Sequence, residues 1–353
     1  MTLRTVSDEA TQAFQLPRLI RLKPNLYAAS FTLMKMIPAR HILRRAIADG
    51  LLEPETVVVE TTSGTFGLAL AMQGVHLHRR VVLVSDPVID ERLHRRLTDL
   101  GAQVDRVPAA AGDIVGGFQA ARLNRLAELR ASYPSTFCPE QYANPENPRS
   151  YAAVAELLLE CLGQVDCVVG PVGSGGSMCG TVGNLRAVLP DCQAIGVDTH
   201  GSVLFGQADA HRELRGMGMS VLPANLDHRI FDSVHWCAPA PAYQATRQLH
   251  RRHALFAGPS GGAGYLVARW WAAANPAALT VVMLPDEGYR YQDTVYDDGW
   301  LRAAGHLDQP VPVAPTEVSD PRVPQGSWTS FCWGRRSYAE VLGQPSEQLS
   351  GAR

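Results

Sequence analysis

The sequence predicts an α/β protein built on parallel sheets covered on both faces. Two observations carry this. Short apolar runs alternate with helix-length segments along most of the chain. Several of those runs read as buried strands that end in glycine or other turn residues. In sheets of this kind ligands bind outside the carboxyl ends of the strands, and the glycine-rich stretches fall there.

In chain order, "TVVVETTSG" (56–64) reads as a buried strand running into a glycine turn, and "TFGLALAMQG" (65–74) as the helix that follows. "RRVVLVSD" (79–86) is a second strand. "ERLHRRLTDLG" (91–101) is a helix closed by Gly101. "AQVDRVP" is a third strand, and "FQAARLNRLAELRASYP" (118–134) has helical spacing up to Pro134. Later strand-like runs are "DCVVGPVGSGG" (166–176), "QAIGVDTHG" (193–201) and "LTVVMLPDEG" (279–288). The proline-rich stretch 308–328 and the final "SYAEVLGQPSEQLSGAR" read as an irregular, poorly ordered extension. The other reading has the tail packing over a neighbouring subunit or the mouth of the site.

The chain of 353 residues is long enough for one large or two medium domains. A net charge of −2 argues against an electrostatic grip on nucleic acid or membrane. The N-terminus shows no apolar segment of the secretory kind, and no stretch approaches a membrane span, so a cytoplasmic protein is expected. The seven cysteines form no CxxC pair and no zinc spacing, so no metal is expected; they read as small buried hydrophobes in a reducing compartment.

Three stretches carry chemistry. "GPVGSGGSMCGT" (170–181) follows a strand and precedes a helix. Its glycines let consecutive N–H groups converge on an anion, although a tight turn explains them equally well. "ETTSGTFG" (60–67) also joins a strand to a helix, and reads either as an anion-holding loop or as an ordinary N-cap. Lys35 stands in "TLMKMIP", in a chain whose only other lysine is Lys23. Alone, Lys35 would read first as a surface lysine with its stem along apolar neighbours. Combined with two anion loops and no metal site, it reads as the covalent partner of a phosphate-bearing cofactor. A desolvated lysine loses proton affinity and becomes a nucleophile able to form a Schiff base.

The order and spacing of these motifs resemble the cysteine synthase branch of the fold-type II (tryptophan synthase β-like) pyridoxal-phosphate enzymes. Lys35 lies the family's distance before "GLL" (50–52); "TSGTFG" (62–67) is similar to the family's "TSGNTG". "QYANPEN" (141–147) is similar to "QF-x-NPxN", and "GSGGS" (173–177) to "GTGGT". "FAGPSGGA" and "PDEGYRY" match family segments near the C-terminal end. The resemblance implies two doubly wound parallel-sheet domains with pyridoxal 5′-phosphate in the cleft between them. The large domain would be 1–40 and 151–305, the small mobile domain 41–150, and the extension 306–353. It also implies roles. Lys35 carries the cofactor and then takes the substrate's α-proton. Gly173, Ser174, Gly175, Gly176 and Ser177 bind the phosphate, with Thr65 and Glu287 beside the ring. Thr62, Ser63, Gly64 and Gln141 hold the carboxylate of a small amino-acid substrate, with Thr65 also placed on that loop. Loss of a β-leaving group would give an α-aminoacrylate, to which a nucleophile adds. A homodimer is expected from the family.

The chain departs from the pattern around the cleft. Thr32-Leu33 replaces Gly-Ser before the lysine, and Met36-Ile37 replaces Asp-Arg after it. Thr65 stands where the family has asparagine, and Glu287 where it has Ser or Thr facing the pyridine nitrogen. A carboxylate there would keep that nitrogen protonated; the alternative is a turn residue facing solvent. "SYAAVAELL" replaces a Thr-Thr-Gly-Pro-Glu run, in the region that faces the co-substrate in relatives. "VDTHGSVLFG" and "PDEGYRYQDTVYDDGWL" are most similar to the siderophore-pathway branch, of N-(2-amino-2-carboxyethyl)-L-glutamate synthase type. The loop that holds Arg215, "LRGMG", faces the cleft in relatives, so the resemblance implies a partner for an anionic leaving group or a co-substrate carboxylate; the other reading is a surface arginine. The resulting expectation is β-replacement on O-phospho- or O-acetyl-L-serine with an amine or thiol nucleophile, in amino-acid or 2,3-diaminopropionate-type biosynthesis. Cysteine synthesis from sulfide, β-elimination alone, and a catalytically weak cofactor-binding sensor or partner subunit remain the alternatives.

Overall fold

A computed structural model describes residues 6–62, 64–87, 89–109, 117–323 and 326–343. Twelve strands run in chain order among them: β1 (Arg18–Lys23), β2 (Leu26–Ser30), β3 (Val57–Thr61), β4 (Val81–Ser85), β5 (Gln103–Arg106), β6 (Thr136–Phe137), β7 (Cys167–Pro171), β8 (Gln193–Thr199), β9 (Ser233–Cys237), β10 (Thr280–Leu284), β11 (Thr316–Glu317) and β12 (Trp328–Cys332). Helices alternate with most of them, as the apolar periodicity predicts.

The chain forms two compact units. The first comprises residues 1–16 and 33–141, the second 17–32 and 142–353. Residues 6–16 and 33–40 therefore group with the smaller unit and 142–150 with the larger, where the sequence reading puts 1–40 in the large domain and 41–150 in the small one. Of the expected extension, the described residues 306–323 and 326–343 group with the second unit.

The first unit carries a four-stranded sheet in the order β5-β4-β3-β6, with every pair parallel. β3 and β4 are buried along their whole length, which is why "VVVET" and "VVLVS" read as unbroken runs. One side of this sheet packs on the Met36–Ala48 and Thr65–Leu77 helices through Met36, Leu43, Val58, Phe66 and Leu83. A second cluster joins Val57, Val59 and Val84 to Leu126 and Leu129 of the Gly117–Ser132 helix.

The second unit carries an eight-stranded sheet in the order β1-β2-β10-β7-β8-β9-β12-β11. Its centre, from β2 to β9, is parallel. Two pairs are antiparallel: β1 with β2, and β12 with β9. The sheet is thus mixed towards both edges.

Among the described residues the proline-rich stretch is largely irregular, as expected, with only the two-residue β11 and the first residue of β12 in it, whereas the tail beyond it is more ordered than expected. Residues 328–332 form β12, with Trp328 and Thr329 buried. The Trp328 indole N–H donates to His235 Nδ1 at 3.1 Å, and burial pushes the His235 imidazole down to about 3, so it stays neutral. Trp333 is buried against Phe205 and His228. The Tyr338–Leu342 helix begins on a capping box formed by Ser337 and Glu340. The last ten residues, 344–353, lie outside the described residues. The cysteines are all free; Cys167, Cys192 and Cys237 are buried, as the reading of small buried hydrophobes expects, whereas Cys161 and Cys332 are exposed.

Candidate active site

In each unit several of the predicted site residues lie in segments that follow the carboxyl ends of parallel strands. In the first unit these strands are β3 and β6. β3 runs straight into Thr62, which is buried. The Thr62 N–H donates to the Val84 carbonyl, and its Oγ1 accepts the Gly64 N–H at 3.2 Å. Gly64 caps the helix that starts at Thr65, so the loop delivers its N–H groups to a helix N-terminus. Gly67 is needed one turn on, since a Cβ there would lie 2.6 Å from Thr62 Cγ2. Ser63 lies outside the described residues. Four residues beyond β6, Gln141 is also buried.

Lys35 belongs to the same unit and forms the N-cap of the Met36–Ala48 helix, in αR conformation. Leu33, Met34, Met36 and Ile37 around it are all buried. The residue keeps some exposed surface, but burial pushes its ammonium down to about 8. The positive end of the helix dipole acts in the same direction. An amine in this state is an available nucleophile and base near neutral pH.

In the second unit the relevant strands are the adjacent trio β2, β10 and β7. β7 runs into the glycine-rich loop, and Gly175 caps the Gly176–Leu185 helix with φ +83°. Two of the glycines are fixed by close approach. A Cβ on Gly175 would lie 2.7 Å from the Leu226 Cα, and one on Gly176 would lie 2.1 Å from Asn147 Oδ1. Asn147 in turn donates to Ser174 Oγ at 3.3 Å. Gly173 differs: a Cβ there would meet nothing nearer than the Gly216 carbonyl, at 4.0 Å. The loop therefore has rigid walls, a helix N-terminus and open space at Gly173, which fits a phosphate. Ser177 is partly exposed in the helix's first turn.

The 215–218 segment abuts this loop, because the Gly218 N–H donates to the Val172 carbonyl at 2.9 Å. Arg215 is exposed on that segment. At the end of β10, the Glu287 Oε1 accepts from Arg18 Nη2 at 3.2 Å and Thr32 Oγ1 at 3.3 Å. Thr32 stands just past the end of β2, whose Ser30 pairs with Leu284. Glu287 is thus tied to the β2 end and is partly exposed, neither a freely solvated turn residue nor a deeply buried one.

Sequence reasoning missed two residues here. Asn147 was seen only as part of a motif, although it braces the glycine loop. Glu60 was read as one more residue of a strand, yet it is 1% exposed and its carboxylate reaches the backbone at Gln141. No signal within "VVVETTSG" pairs it with a segment eighty residues on.

A family model for pyridoxal-phosphate dependent enzymes matches residues 25–286. The chain belongs to this family: it is a pyridoxal-phosphate-dependent enzyme. It is 35% identical over 270 residues to the N-(2-amino-2-carboxyethyl)-L-glutamate synthase of Cupriavidus metallidurans, covering 75% of this chain and 79% of the relative. Among solved structures, a hydrogen sulfide-producing enzyme from Fusobacterium nucleatum superposes with a TM-score of 0.73 at 26% identity, over 81% of this chain and 100% of that one. O-acetyl serine sulfhydrylase isoform 3 from Entamoeba histolytica gives 0.76 at 21% identity, over 88% and 98%, which shows the shared fold. The fold is therefore the fold-type II α/β architecture expected from the sequence. Among the described residues no helix is long and apolar enough to cross a membrane, and no cluster of side chains is suited to a metal ion.

Proposed function

We propose that this enzyme replaces the β-substituent of an O-activated L-serine, O-phospho-L-serine first, with the amine of a second amino acid such as L-glutamate. The observation that carries the chemistry is Lys35, an amine depressed to about 8 at a helix N-terminus among buried apolar side chains. The 35% identity to a synthase named for a glutamate product supports the choice of co-substrate.

In this reading pyridoxal phosphate, when bound, supplies the electron sink for bond changes at the substrate's α- and β-carbons. Every other task falls to the chain. Lys35 Nζ attaches the cofactor, and once displaced it takes and returns the α-proton. The N–H groups of Gly173, Ser174, Gly175, Gly176 and Ser177 hold the phosphate. Thr62, Ser63, Gly64 and Gln141 hold the substrate carboxylate, and Thr65 opens the helix beside the ring. The Glu287 carboxylate keeps the pyridine nitrogen protonated. Arg215 pairs with the leaving phosphate or the co-substrate carboxylate.

The test is to incubate the loaded protein with O-phospho- or O-acetyl-L-serine and, separately, L-glutamate or sulfide, and to weigh the products. A product with new C–N connectivity from glutamate supports the proposal. Cysteine alone would make it a sulfide-using enzyme, pyruvate with ammonia a lyase, and no turnover a sensor; each of these sinks the proposed reaction.

A further inference from the structure

Glu60 is the penultimate residue of β3 and is almost wholly buried. Its Oε1 accepts the Thr61 N–H at 2.8 Å, and its Oε2 accepts the Gln141 N–H at 3.3 Å. The Glu140 backbone N–H also turns toward this carboxylate. Among the described residues, no arginine, lysine or histidine lies within ion-pair distance of it. The charged groups nearby are of its own sign or remote: the Glu140 carboxylate faces it and is itself paired with Arg130 of the Gly117–Ser132 helix, at 3.6 Å, and the neutral Cys138 thiol sits alongside. Burial pushes the Glu60 carboxyl up to about 7, as expected for a group supported by backbone N–H donors rather than by a cation.

The backbone it holds is not relaxed. Glu140 has φ +52°, in the left-handed region that non-glycine residues seldom occupy. Such a corner persists only where its surroundings fix it. The chain turns there just before Gln141, and on the other side Glu60 leads into Thr62 through Thr61.

We infer that Glu60 is a positioning residue for substrate binding, its carboxylate clamping the left-handed corner that presents Gln141 to the strand end that presents Thr62. The inference rests on the reading that Thr62 and Gln141 hold the substrate carboxylate. One buried side chain then sets the spacing of both halves of that grip. Glutamine in its place keeps the shape but sets an NH2 group against one of the N–H donors, so one half of the clamp is lost.

The test uses the holoenzyme with O-phospho-L-serine, comparing wild type, Glu60→Gln and Glu60→Asp. For Glu60→Gln, KM for the serine substrate should rise about tenfold or more, with kcat within about threefold and cofactor content unchanged. Hydrogen exchange of the 139–142 backbone should quicken by at least about tenfold in the same variant. Unchanged KM, or kcat and cofactor content falling together with KM unaltered, overturns the inference. If the glutamine variant does not fold, Glu60→Asp decides, since its shorter carboxylate should reach Thr61 but not Gln141 and raise KM alone. Should wild type turn over no activated serine, the functional reading fails. The exchange measurement then still decides whether Glu60 fixes the corner, and unaltered exchange overturns that too.

Discussion

Lys35 is useful only if it sheds a proton that most lysines keep. Its amine titrates near 8 instead of the usual value of 10.5, because burial penalises the ammonium. A lowered value means the neutral amine grows with pH up to about 8 and then saturates. The rate at which cofactor-free protein takes up pyridoxal phosphate should therefore rise about tenfold per unit below pH 8 and level off above it, as read from the growing absorption band. Borohydride reduction and peptide mapping should tag Lys35 and leave Lys23 unmodified. Glu287 offers a second prediction. Glu287→Ser should shift the cofactor's absorption and lower turnover about tenfold, the equivalent of one pKa unit at the ring nitrogen. An unchanged spectrum and rate would leave the Glu287 carboxylate with only its bonds to Arg18 and Thr32. The apolar setting of Lys35 was legible in "TLMKMIP", and its neighbours Leu33, Met34, Met36 and Ile37 are buried, but only the two glycine-bearing loops together with it suggested a role. Glu60 was not legible, because its partner at Gln141 is brought near by the β3–β6 pairing, which no local pattern encodes.

At the scale of elements, the glycine loop after β7 offers separate tests of packing and of the phosphate binding proposed for it. Gly176→Ala must displace the buried Asn147 side chain, and should lower stability by about 1–3 kcal/mol with or without cofactor. Gly173→Ala meets nothing nearer than the Gly216 carbonyl, at 4.0 Å, so cofactor-free stability should stay within about 0.5 kcal/mol. The same change should nevertheless weaken cofactor retention at least tenfold, because its methyl group fills the phosphate's space. Denaturant midpoints and cofactor titrations read the two effects apart. The alternation of strands and helices announced most elements, since continuous valine runs and glycine stops are local signals. β12 escaped because "SWTSFC" sits among prolines and its partner β9 lies some ninety residues earlier. Trp328→Ala removes a buried indole and its bond to His235, and should cost the second unit about 3–5 kcal/mol in urea unfolding. Loss of less than about 1 kcal/mol would mean that the tail is only loosely attached.

The whole molecule is two units threaded on one chain, with crossings after residues 16, 32 and 141. The second unit's sheet is therefore assembled from distant pieces: β2 comes from the first tenth of the chain, and its parallel neighbour β10 from the last quarter. During synthesis on the ribosome, β2 leaves the exit tunnel with Leu26, Ala28 and Ala29 ready to be covered, but β10 does not yet exist. At 5–20 residues per second the wait lasts roughly 12–50 s. The first unit has all of its residues once Gln141 has emerged, so the nascent chain can carry one finished body beside an orphaned hairpin. That interval is when a holding chaperone would matter most. Translation slowed downstream of Gln141 would lengthen the hairpin's exposure without helping the first unit at all.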